Sequence, residues 1–121
     1  MLTHGLCMAR ENFANLGRPN DDSAVQLLNP ADESYEVVRT SLMPGILKCL
    51  HHNKSMPKKN GIKFFEISDV VLKDDSTDVG ARNERHLVAS YAGLSAGFEV
   101  IILIENLKET LRKRPISQLS Y

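Results

Sequence analysis

Ile62-Lys63-Phe64-Phe65-Glu66-Ile67-Ser68-Asp69-Val70-Val71-Leu72 is the stretch that decides the fold. It is rich in β-branched and aromatic residues, the composition of a strand. A polar loop follows from Lys73 to Glu84, and a second run, His86 to Tyr91, is placed to return antiparallel across it. A hairpin of this kind makes the sheet antiparallel, and the rest of the chain has to be arranged around it.

Upstream, Thr40 to Lys54 reads as a helix. Thr40 or Ser41 can accept hydrogen bonds from the unpaired N–H groups of the first turn, and Pro44 falls within that turn, where its missing N–H costs little. Leu42, Ile46, Cys49, Leu50 and Asn53 recur at the spacing of one helix face. Gly45 in the helix interior costs about 1 kcal/mol relative to alanine, which points to close approach of another backbone. Asn53 to Asn60, with Pro57 and its lysines, reads as an exposed loop.

Nearer the start, Leu2 to Cys7 reads as a strand and Arg10 to Leu16 as two helical turns stopped by Gly17 and Pro19. Asn20-Asp21-Asp22-Ser23 and Asn29-Pro30-Ala31-Asp32 are turns, with short strands at Ala24 to Leu28 and Tyr35 to Val38. Beyond the hairpin, Gly93 to Gly97 is a turn. Phe98 to Arg114 is expected to be a helix, because Val100, Leu103, Ile104, Leu107 and Leu111 mark one helical stripe over a length unusual for a strand. Glu99 near its start and Arg112, Lys113 and Arg114 near its end suit the helix dipole, and Pro115 ends it. The order of elements predicts an α+β fold, an antiparallel sheet flanked by helices.

The 121 residues carry 15 Lys and Arg against 15 Asp and Glu, so the formal charge is zero, and 42% are hydrophobic. A balanced charge removes the basic field that drives non-specific nucleic-acid binding. The longest apolar run, Val100 to Ile104, is far short of the roughly 20 residues that span a bilayer, and Met1-Leu2-Thr3-His4 does not open a signal peptide. A cytoplasmic protein with no membrane contact is expected, and in that compartment Cys7 and Cys49 are thiols.

No segment reads as an active site by itself. Asp74-Asp75-Ser76-Thr77-Asp78-Val79-Gly80 resembles a calcium loop only superficially, since Val79 and Arg85 stand where the loop needs Gly and Glu. Adjacent His51 and His52 diverge by about 100° on a helix and cannot share a metal. Cys7 and Cys49 have no local base, and no glycine-rich phosphate loop follows a strand. Arg82, Arg85 and His86 are better explained by salt bridges to Glu84 and the acidic loop than by a phosphate ligand. Lys54, Lys58 and Lys59 lack the interleaved aromatics of an RNA surface. The Thr40–Lys54 helix admits two readings, the chain's own core or a face shared with a partner, because both need the same amphipathic pattern.

Several runs together resemble the β chain of phenylalanyl–tRNA synthetase, of the eukaryotic cytosolic or archaeal type. They are Asn29-Pro30, then Val37-Val38-Arg39-Thr40-Ser41-Leu42-Met43-Pro44-Gly45-Ile46-Leu47-Lys48, then Phe64 to Leu72. Asp78-Val79-Gly80-Ala81-Arg82-Asn83-Glu84-Arg85-His86-Leu87 and Gly97-Phe98-Glu99-Val100-Ile101 complete the set, which covers about residues 1–111. The resemblance implies an incomplete class II synthetase-like domain over residues 1–114, catalytic-like but non-catalytic, with a tail over 115–121. It implies that the helix from Thr40 is the motif 1 helix of that class. Its subunit-interface residues would be Thr40, Ser41, Leu42, Pro44, Gly45, Ile46, Cys49 and Leu50. The partners implied are the α subunit of an (αβ)₂ complex and, through the whole complex, tRNA-Phe. No catalytic, cofactor or metal residue is expected in this chain, while the parent complex uses ATP and Mg²⁺. The hairpin strand shows Phe65-Glu66-Ile67, with no Arg to grip an ATP phosphate. Arg114 to Tyr121 does not continue into further strands, which suggests a fragment whose sheet keeps an unpaired edge. The alternative is a free-standing domain that binds protein or RNA outside aminoacylation.

Overall fold

The computed structural model describes residues 1–56, 59–95 and 98–105, and for 95–105 the backbone alone. In chain order the elements are β1 (Leu6–Cys7), α1 (Ala9–Asn12), β2 (Val37–Val38), α2 (Met43–His52), β3 (Ile62–Lys73), β4 (Ala81–Ser95) and β5 (Phe98–Glu105), with 3₁₀ turns at Ala14–Leu16 and Glu33–Tyr35. The fold is α+β. β1 and β2 form a small antiparallel sheet, and β3, β4 and β5 form an antiparallel meander in that order.

The hairpin is longer than the sequence suggests. β4 begins at Ala81 and pairs along the whole of β3, from Lys73↔Ala81 to Ile62↔Ala92, so only Asp74 to Gly80 is loop. Gly80, at φ 71°, takes the left-handed turn position that glycine tolerates without strain. Alternation along the strands sends Phe64, Glu66 and Val70 of β3 and Val88 and Ala92 of β4 to the face beneath α2. There Leu42, Ile46 and Leu50 meet Val70, Val88 and Ala92, with Met43, Leu47, Ile62 and Phe64 packed around them. On the opposite face Phe65 and Ile67 are exposed.

The expected helix over Phe98 to Arg114 is corrected over its first half. Phe98–Glu105 is a strand, paired from Ser95↔Phe98 to Val88↔Glu105, and residues 93–95, expected in a turn, belong to β4. The β-branched run Val100-Ile101-Ile102 fits a pleated ladder better than a helical turn. Tertiary pairing with β4 settles the choice that the apolar stripe left open. Residues 106–114 and the tail 115–121 lie outside the described residues, as do Pro57 and Lys58 of the lysine loop.

The helix expected from Thr40 to Lys54 is found from Met43 to His52. Leu42 is its N-cap and brings no side-chain acceptor, but Ser41 Oγ accepts the Met43 N–H at 3.1 Å. Asn53 closes the other end, its Nδ2 donating to the Cys49 carbonyl at 2.8 Å. The strand expected at Ala24 to Leu28 reduces to a single bridge, Gln26↔Val37, beside two backbone hydrogen bonds to residues 36 and 38.

The free edge of β3 is partly covered. Its Val71 and Lys73 N–H groups donate to the carbonyls of Arg39 and Ser23, and the Phe65 carbonyl accepts from the Met1 amino group. The N-terminal segment and the Arg39 stretch thereby join the small sheet to the large one. Cys7, Phe13, Ala24 and Val37 form a second apolar cluster inside the small sheet.

Candidate functional site

Glu66 occupies an inward position of β3 and is fully buried. An isolated carboxylate there would be strongly disfavoured, so its partners matter. Arg39 Nη1 donates to Glu66 Oε1 at 3.1 Å, and Thr3 donates to both carboxylate oxygens, through its backbone N–H at 3.2 Å and its hydroxyl at 2.8 Å. The other Arg39 donors are also engaged, Nη2 with Ser68 Oγ at 2.6 Å and Nε with the Asp69 carbonyl at 3.2 Å. The Thr3 hydroxyl accepts from Arg39 Nη1 at 2.8 Å while it donates to Glu66. This guanidinium is committed to locking three segments together, the N-terminal stretch, the link between β2 and α2, and β3. The hairpin strand carries Glu66 where a phosphate-gripping arginine would stand, and the arginine beside it, Arg39 from 27 residues earlier, is its ion-pair partner.

Gly45 is explained by the same network. A Cβ at this position would overlap the Thr3 side chain. The close neighbour at this glycine is therefore the Thr3 side chain, where the approach of another backbone was expected.

The eight residues proposed for an interface divide by position. Leu42, Ile46 and Leu50 point into the chain's own core. Thr40 and Ser41 are buried before the helix, where the Thr40 N–H donates to Asn12 Oδ1 at 3.1 Å and the Thr40 hydroxyl has no partner among the described residues. Pro44, Gly45 and Cys49 lie on the other side of α2, and with Lys48 and His52 they line a cavity of about 340 Å³ between the helix and the N-terminal segment. Leu2, Leu6, Cys7 and Tyr35 also line it, and Leu2 and Tyr35 are exposed. A second hollow, bounded by Glu11, Asn15, Leu47 and His51 and sharing Pro44, Lys48 and His52 with the first, flanks the same helix. The outer side of α2 is thus a ridge between two depressions. From sequence His52 is weighed only as a metal ligand, and neither Lys48 nor Tyr35 is named with the interface residues, because each joins this ridge only once the N-terminal segment has folded against α2.

The charged hairpin behaves as a surface salt-bridge set. Arg82 reaches Asp74 at 3.1 Å and Glu84 at 2.9 Å, His86 Nε2 lies 3.2 Å from Glu84, and Arg85 pairs with Asp69 across the strands. Hydrogen bonds from Ser76 and then Arg82 hold the Asp74 carboxyl below its ordinary range, and hydrogen bonds from Arg82 and then His86 do the same for Glu84. Both cysteines are free thiols. Burial, helped by the nearby Glu11 charge, pushes the Cys7 thiol up to about 11, away from nucleophilic chemistry at neutral pH. Among the described residues no three His, Cys, Asp or Glu side chains are grouped to hold a metal, and no helix is long and apolar enough to cross a membrane.

Comparison with known proteins places this architecture. The family model described as the phenylalanyl tRNA synthetase beta chain CLM domain matches residues 1–113. The phenylalanine–tRNA ligase beta subunit, cytoplasmic, of Arabidopsis thaliana is 48% identical over 112 residues, covering 92% of this chain and 18% of the relative. The beta subunit of Saccharomyces cerevisiae is 47% identical over 111 residues (88% of this chain, 18% of the relative), and that of Homo sapiens 45% over 101 residues (83% and 17%). The chain spans less than a fifth of the length of the curated relatives it matches. With the match running over nearly all of its residues, the chain belongs to the phenylalanyl tRNA synthetase beta chain CLM domain family.

Proposed function

We propose that this chain is a structural, non-catalytic segment of a phenylalanine–tRNA ligase beta subunit. It supports ATP-dependent charging of tRNA-Phe by the alpha subunit in a cytoplasmic (αβ)₂ complex. The observation that carries the reading is the family match over residues 1–113 combined with the commitment of Arg39 to Glu66, Thr3 and Ser68. An arginine spent on an internal lock is not available to steady charge developing on a transferring phosphate. In this reading ATP and Mg²⁺ act at the alpha subunit. The three-stranded meander is part of a class II synthetase-like sheet that the rest of the beta chain completes. The outer ridge of α2, with Lys48, Cys49 and His52 on it, is where the alpha subunit docks, while buried Pro44, Leu42, Ile46 and Leu50 hold the ridge in place and Gly45 packs against Thr3.

ATP–pyrophosphate exchange with phenylalanine tests the division of labour. The purified beta subunit alone should give none, and the reconstituted complex should give full exchange. Exchange by the beta subunit alone overturns the proposal. A free-standing interaction domain predicts something else again: a beta subunit that never associates with alpha.

A further inference from the structure

Among the described residues, Asn12 and Thr40 each hold a buried polar atom that has no partner. Asn12 is fully buried at the end of α1. Its Oδ1 accepts the Thr40 N–H at 3.1 Å, while its Nδ2 bonds to nothing among the described residues. Thr40, 4% exposed in the link from β2 to α2, has an unpartnered hydroxyl of its own. The two orphaned atoms flank one hydrogen bond and so belong to a single spot between α1 and that link. Turning the amide over does not relieve them, because the Thr40 N–H needs the oxygen where it stands. Buried polar groups are bonded in folded proteins, to the chain or to ordered water, and a bare one is costly.

We propose that one ordered water molecule occupies this spot, accepting from Asn12 Nδ2 and sharing a hydrogen bond with the Thr40 hydroxyl. The chemistry of the pair selects the occupant. Nδ2 presents only hydrogens, which a metal cation cannot use. An anion would accept them, but the cations of neighbouring residues are committed, Arg39 to Glu66, Thr3 and Ser68 and Lys48 to Glu11. A buried anion without a counter-charge is strongly disfavoured. A small neutral molecule that both accepts and donates satisfies both atoms at once, as buried waters do. The water then fastens α1 to the link into α2, beside the Lys48–Glu11 ion pair that joins the two helices. The Thr40 hydroxyl thereby serves the interior of its own chain, and the inference does not depend on the docking reading given above.

A crystal structure of the full beta subunit with its alpha partner, at a resolution that shows ordered water, is the direct test. We expect a peak about 3 Å from both Asn12 Nδ2 and Thr40 Oγ1. A direct bond between the two side chains, or no peak, overturns the proposal. An anomalous signal at the spot in crystals grown with bromide also overturns it, because it marks an anion. Thr40→Val gives a second answer, since it keeps the branched shape and removes the hydroxyl. If that hydroxyl holds a water, the variant lowers the unfolding midpoint of the beta subunit by about 2 °C or more. If the hydroxyl is bare, its removal relieves an unpaired buried group, and an unchanged or raised midpoint contradicts the proposal.

Discussion

Arg39 and Glu66 are where the fold is most exposed to a single change. A buried ion pair offsets its own desolvation only while every partner is in place, and removing one partner leaves the other charge stranded. Arg39→Met is expected to destabilise the chain by about 3–5 kcal/mol, because Glu66 would remain fully buried with only Thr3 to satisfy it. Urea unfolding monitored by circular dichroism measures this, and a change under about 1 kcal/mol, the size of one ordinary neutral hydrogen bond, would mean that the pair does not hold the N-terminal segment to β3. The thiols make a second residue-scale prediction. With its pKa pushed up to about 11 and little surface exposed, Cys7 should not react with a disulfide reagent at pH 8, while half-buried Cys49 should. One thiol titrates in the native chain and the second only on unfolding; two fast thiols would contradict the burial of Cys7. Neither result is foreseeable from sequence pattern. Arg39 and Glu66 are both visible in the family-like runs, but no local periodicity joins residues 27 apart.

At the scale of elements, periodicity identified what local burial dictates and failed where partners decide. The α2 stripe Leu42, Ile46, Leu50 was legible because one face of a helix must be apolar to cover a sheet. The β3–β4 hairpin was legible because both strands are rich in β-formers. β5 was misread since Val100, Leu103 and Ile104 satisfy a helical stripe as well as a strand, and the neighbour that selects the strand, β4, is a long-range partner. Gly45 was seen to require a close neighbour, yet which one depends on where Thr3 is held. Gly45→Leu should therefore destabilise the beta subunit by about 1–3 kcal/mol through overpacking against Thr3. If stability is untouched and only alpha-subunit binding falls, Gly45 faces the partner instead. In the hairpin loop, Asp74 has a folded pKa below its ordinary 3.8. A depressed carboxyl contributes stability above its unfolded pKa and loses it as pH falls through the lower folded value. The stability gap between the parent and Asp74→Ala should thus be widest above the ordinary 3.8 and narrow as the pH falls below it. A gap that grows on acidification would reverse the sign of this effect.

For the whole molecule, the two sheets, the Arg39 lock and α2 form a platform whose inner helix face is consumed by its own core. The outer surface of α2 that remains is narrower than the amphipathic pattern implied, a ridge of Lys48, Cys49 and His52 between two hollows. Which residues of α2 meet another subunit is not legible in sequence, because an apolar residue at a helical spacing looks the same whether it faces its own sheet or another subunit. The outward residues of the sheet, Phe65 and Ile67, are a second exposed apolar pair.

The central claim, that this domain docks and does not catalyse, is tested most directly by measuring tRNA-Phe charging and complex mass together for a beta subunit carrying Cys49→Trp. The expected outcome is that the complex falls apart and charging is lost while the unfolding midpoint of the beta subunit stays within a few degrees of the parent. An intact heterotetramer with undiminished charging would contradict it.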